Sequence, residues 1–76
     1  MGGKAGAIRA SFQNELFISL LIENRTVIRL SETQCALLQL RYIERLQWLD
    51  IEERLYMSRS TLYRLEQNII EQLLTI

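Results

Sequence analysis

Apolar positions recur along this chain at three- and four-residue spacings, and three breaks divide them: Glu23–Asn24–Arg25–Thr26, Leu30–Ser31 and Tyr56–Met57–Ser58. That period is helical, and no proline interrupts any segment. The first segment runs from about Ile8 to Glu23. Phe12, Leu16 and Leu20 fall at four-residue spacing on one face, widened by Phe17 and Leu21, while Ile18 and Ile22 point elsewhere. A lone small domain has difficulty covering a helix that is apolar on several sides. The segment is read as a loosely amphipathic core helix with Phe12, Leu16 and Leu20 on the core face and, more sharply, as one that also meets a partner through Phe17, Ile18, Leu21 and Ile22. A third reading stays open: a β-hairpin with strands Leu16–Ile22 and Thr26–Leu30, suggested by the β-branched run Thr26–Val27–Ile28.

The next segments carry explicit start signals. Ser31 followed by Gln34 is a capping box, which predicts a helix to about Glu44. Cys35, Leu38 and Tyr42 share a stripe, with Leu37 and Leu40 on the far side, so this helix is expected to be largely buried. Trp48, Ile51 and Leu55 mark one face of a third segment from Gln47 to Leu55. Ser58 is a favourable N-cap for a fourth, in which Leu62, Leu65, Ile69 and Leu73 form the apolar stripe. The fold class expected is all-α: a small bundle of roughly four helices, with the hairpin as alternative at the N-terminal end.

Composition narrows the chemistry. Seventy-six residues allow one small domain, expected at 8–76 behind a flexible leader at 1–7, and 49% hydrophobic residues exclude a disordered tail. No histidine and a single cysteine remove the usual zinc sites, Ser–His and Cys–His nucleophile pairs, and internal disulfides. Cys35 is expected to be a core residue. No apolar run approaches the roughly 20 residues needed to span a bilayer. The glycines stand only at positions 2, 3 and 6, so no phosphate-cradling loop exists, and adjacent Glu52 and Glu53 point to different helix faces. No enzyme, cofactor or metal is expected.

Nine basic and nine acidic side chains cancel, which argues against holding nucleic acid by bulk charge. The sum is uneven along the chain. Residues 1–30 carry four basic and two acidic side chains (+2), and residues 31–76 carry five and seven (−2). Within the acidic half, Met57 to Leu65 contains no acid.

Segments three and four, joined by a very short turn, have the layout of a helix-turn-helix over about residues 47–68. The start of the second helix carries Arg59, Ser60, Thr61, Tyr63 and Arg64. Arginine bonds guanine bidentately, and hydroxyls bond phosphates. From Leu30 to Leu73 the chain resembles region 4 of bacterial sigma-70-type factors and the similar domains of phage-encoded transcriptional regulators. Leu37–Leu38–Gln39–Leu40–Arg41–Tyr42 is similar to the family's "VLELRY" stretch. Arg41–Tyr42–Ile43–Glu44 with Leu46 and Trp48 resembles the phage "RYIEGLSW". Ser58–Arg59–Ser60–Thr61–Leu62–Tyr63–Arg64–Leu65 resembles the phage recognition helix "SRSTVYRL".

The resemblance implies sequence-directed DNA binding in transcription control. It aligns Arg59, Ser60 and Arg64 with base-reading positions, Thr61 and Tyr63 with positions near the backbone or groove edge, and Gln47 with a phosphate-meeting cap. The expected DNA-facing set is these six with Ser58 and Gln67. The sequence departs from the family at Glu52, where alanine is usual, and at Arg45 and Tyr56, where glycine is usual. Glu52 must reach solvent or a cation, with Arg45, Arg54 and Arg59 in range. Tyr56 is expected to take a positive φ. The expected partners are double-stranded DNA, a second copy of the chain and RNA polymerase, with no membrane and a cytoplasmic location. The alternative is a protein-interaction module on the same scaffold.

Overall fold

The computed structural model describes residues 3–75, and these are all-helical. The helices are α1 (Gly3–Ser11), α2 (Glu15–Glu23), the single turn α3 (Arg25–Ile28), α4 (Glu32–Leu38), α5 (Trp48–Leu55) and α6 (Arg59–Leu74). A π-helical turn, Gln39–Ile43, continues α4. None of these helices is long and apolar enough to cross a membrane.

The N-terminal region corrects three expectations. The leader is structured from Gly3 onward as α1, while residues 1 and 2 lie outside the described residues. The single helix expected over Ile8–Glu23 is two. Phe12, Gln13 and Asn14 close tight turns onto the carbonyls of Arg9, Ala10 and Ser11. Asn14 then turns extended and caps α2, its side chain accepting from the Leu16 and Phe17 amides at 2.9 and 3.4 Å. The β-hairpin is absent, because Leu16–Glu23 and Arg25–Ile28 are helical. A two-stranded hairpin has no third element to pair with here. Helical spacing instead buries Ile18 and Leu21 together in the shared core.

That burial also takes Ile18 and Leu21 out of the expected interface set. Ile18 (0% exposed) and Leu21 (5%) are core residues of the chain itself, and Phe17 and Ile22 pack half-buried against the same cluster. Leu16 and Leu20, expected on the core face beside Phe12, are the exposed ones at 76% and 55%.

From Ser31 onward the local signals hold. The Ser31 hydroxyl accepts from the Gln34 amide at 3.1 Å, and the Gln34 side chain accepts from the Ser31 amide at 2.9 Å. Gln34 also donates to Gln72, which donates to the Arg29 carbonyl, tying the start of α4 and the left-handed end of α3 to α6. Gln34, Cys35, Leu37, Leu38 and Leu40 are buried. Burial raises the Cys35 thiol pKa, which leaves it a packing residue. Ile51 of α5 and Leu62, Ile69 and Ile70 of α6 complete the core with Phe12, Ile18, Leu37 and Leu38. The π turn ends where the Glu44 amide bonds the Gln39 carbonyl and Arg45 takes φ 59°. There the chain reverses into α5.

Candidate nucleic-acid interface

Helices α5 and α6 meet through Tyr56, Met57 and Ser58. Tyr56 ends α5 in the left-handed conformation (φ 55°, ψ 45°), and both its amide and that of Met57 reach the Glu52 carbonyl. This meets the expected positive φ. The tyrosine ring is 93% exposed, so the turn accommodates it without a clash, at the backbone cost of a non-glycine residue. Half-buried Met57 packs against the core and fixes the turn. Ser58 is extended and caps α6, its hydroxyl 3.4 Å from the Thr61 amide and 3.0 Å from the Thr61 hydroxyl.

The far side of α6 is pinned by Leu62, Leu65 and Ile69 on the core, so its other side faces outward. Arg59, Ser60, Tyr63, Arg64 and Gln67 are exposed there, without an acid among them. Thr61 is half-buried and turned to the cap, unlike the rest of the expected set. Gln47 occupies the N-cap position of α5, but its side chain makes no cap bond.

Glu52 finds one of its three candidate cations. Its carboxylate accepts from Arg59 Nε at 2.6 Å. The same contact is the leading cause of a raised Arg59 pKa. Arg59 is therefore held at the corner by Glu52. Arg64 has no ion-pair partner among the described residues, and its guanidinium is free to meet a ligand.

A second layer lies beside this face. Tyr63 meets Trp48 edge-on, ring centroids 5.1 Å apart, and the Arg41 guanidinium stands 4.7 Å from the Trp48 ring centre. Arg41 also donates to the Leu46 carbonyl at 2.9 Å, which stabilises the entry to α5. Across from these residues α1 packs along α6. Arg9 donates to Glu66 at 2.6 Å and to Gln67 at 3.1 Å. Glu66 is only 6% exposed and accepts a second bond, also 2.6 Å, from the Tyr42 hydroxyl. Burial first, then this bond, raise the Tyr42 pKa far above the ordinary phenol value.

Between the two layers runs an open groove of about 710 Å³. It is lined by Arg9 of α1 and Gln13 beyond it, by Arg41, Tyr42 and Trp48, and by Tyr63, Arg64 and Gln67 of α6, with the buried Glu66 at its base. The structure thus places three of the expected residues, Tyr63, Arg64 and Gln67, around one groove with Arg9 and Gln13, which no motif in the sequence marks; of these, Arg9 and Gln67 bond directly. The available signal was charge: α1 carries Lys4 and Arg9 and no acid.

The model of one protein family, described as a protein of unknown function (DUF1492), matches residues 12–74. Helix α1 precedes the matched span. No curated protein matches the chain, and no solved structure does.

Proposed function

The chain belongs to the DUF1492 family, and we propose that it is a sequence-directed DNA-binding regulator of transcription whose α5–α6 corner acts as a sigma region 4-like helix-turn-helix. The carrying observation is the outward side of the first turns of α6, where Arg59, Ser60, Tyr63, Arg64 and Gln67 are exposed together and acid-free. In this reading α6 enters the major groove. Arg64 donates bidentately to a guanine edge, and Gln67 suits an adenine edge. Ser60 and Tyr63 bond the flanking phosphates. Arg59 reads or grips once it exchanges Glu52 for DNA.

The test is duplex binding across a salt series, with duplexes recovered by selection from a random library. The wild-type chain binds with a steep salt dependence. In an Arg59→Ala, Arg64→Ala double variant the preference for the selected duplex disappears. Unchanged affinity and preference in that variant contradict the proposal.

A protein contact is favoured by a separate observation. Leu16, Leu20 and Val27 are 76%, 55% and 81% exposed on α2 and α3, apart from the basic side of α6. Such residues suit a second copy, RNA polymerase or another regulator. Mass in solution at two concentrations checks the first: a dimer predicts mass rising with concentration, and Leu20→Glu then lowers it.

A further inference from the structure

We propose that the groove between α1 and α6 seats a sugar-phosphate strand of the DNA, with Arg9, Gln13 and Arg41 as backbone-contacting residues beside the reading residues Arg64 and Gln67. The inference rests on the DNA-binding reading and extends it to a second element, α1.

Three observations carry it. The first is charge. Arg9, Arg41 and Arg64 line the groove, and its one acid, Glu66, lies buried at the base with Arg9 and Tyr42 already bonded to its carboxylate. The opening is cationic although the chain is neutral. The second is donor supply. Each guanidinium has five N–H donors. Arg41 directs one at Leu46 and Arg9 directs two at Glu66 and Gln67, leaving donors on both for a phosphate oxygen. Because Gln67 accepts from Arg9 through Oε1, its amide nitrogen remains to donate outward. The third is continuity. Tyr63, Arg64 and Gln67 belong both to the groove wall and to the exposed side of α6, so a duplex read by α6 brings its adjacent strand to this opening. Arginines that ring an open polar groove suit a repeating phosphate chain, which asks for charge and N–H donors without base identity.

The groove also resolves the charge imbalance. The +2 half of the sequence folds its α1 onto α6 in the −2 half, which brings Arg9 to the groove that Arg64 lines.

Gln13 offers a test that leaves the packing alone. It is exposed, lines the groove and makes no side-chain hydrogen bond among the described residues. Fluorescence anisotropy is measured for the full chain with a mixed-sequence duplex and with a library-selected duplex. Gln13→Lys is expected to tighten both by the same factor, roughly 3- to 10-fold, and to steepen the log–log salt slope by about 0.9. Gln13→Glu is expected to weaken both equally. Arg64→Ala serves as the contrast, since it erodes the preference between the two duplexes. If neither Gln13 variant moves affinity or slope while Arg64→Ala still loses preference, the groove assignment is overturned and the reading of α6 stands. If Gln13→Glu changes the preference between duplexes, the backbone assignment is overturned in favour of a base contact. If the wild-type chain binds neither duplex, the groove assignment and the α6 reading fail together.

Discussion

The α5–α6 corner and the N-terminal α1–α3 arm are built by different means. In the corner, each helix has one apolar side on the core, through Ile51, Leu62 and Ile69, and an outward side that is polar apart from Leu49 on α5 and Tyr63 and Leu74 on α6. Its boundaries are set within a few residues, by Ser58 at the cap and Tyr56 in the left-handed region. The arm follows no such division. Helix α2 buries Ile18 and Leu21 yet exposes Leu16 and Leu20, α3 exposes Val27, and α1 has no buried residue. A polar contact, Arg9 to the nearly buried Glu66, fastens α1 along α6, with half-buried Ala5 and Ile8 packing beside it. The difference teaches that local sequence shapes the corner, whereas the arm takes its form from what it docks on. It also shows why the summed charge misleads: the arm carries its cations to the acidic half.

The contrast within α2 predicts the largest effect. Ile18→Ala should lower unfolding free energy in urea by about 2–4 kcal/mol, because it opens a cavity in a fully closed site. Leu20→Ala, two residues on, should change it by no more than about 0.5 kcal/mol in the monomer. Equal losses would break the assignment of core and exposed sides.

The polar fastening of the arm comes next. Tyr42→Phe should cost about 1.5–2 kcal/mol at neutral pH, since it removes a bond to a buried carboxylate. It should also change the alkaline limb. The Tyr42 pKa is raised in the fold from its ordinary 10.0. The native chain therefore keeps a proton that the unfolded chain releases, so this contribution is complete below about pH 10 and declines as pH rises above it. Urea midpoints at mildly and strongly alkaline pH should converge between wild type and Tyr42→Phe. Arg9→Ala should cost about 1–2 kcal/mol, below the figure for a fully buried pair because the Arg9 side chain is 53% exposed. Amide exchange in α1 should rise more than in α5.

The smallest effect belongs to the corner. Tyr56→Gly should raise stability by about 0.5–1 kcal/mol, relieving a left-handed tyrosine whose side chain touches solvent. A loss there would mean that the exposed ring contributes packing that its 93% exposure denies.

Legibility in the sequence follows the same division. The capping box at Ser31, the cap at Ser58 and the stripe through Leu62 and Ile69 are local, and each was readable and is present. The strained turn at Tyr56 and the need of Glu52 for a cation were legible through the family resemblance, and the structure supplies Arg59 as the partner. The break at Asn14 has a signal in the cap-forming Asn14–Glu15 pair, which the four-residue recurrence of Phe12, Leu16 and Leu20 masks. Periodicity alone does not say which of several apolar faces meets the core, so Leu16 and Ile18 exchanged places. The groove was beyond reach. Arg9 and Glu66 are 57 residues apart, and their meeting depends on how α1 packs against α6.

The central claim is that the outward side of α6 reads DNA sequence. Selection from a random duplex library tests it most directly, run in parallel with the wild-type chain and Arg64→Ala. The account predicts that the wild type recovers one consensus and that Arg64→Ala loses preference at one or two adjacent positions of it while the remainder persists. Recovery of the same full consensus by both proteins, or of none by the wild type, would contradict it.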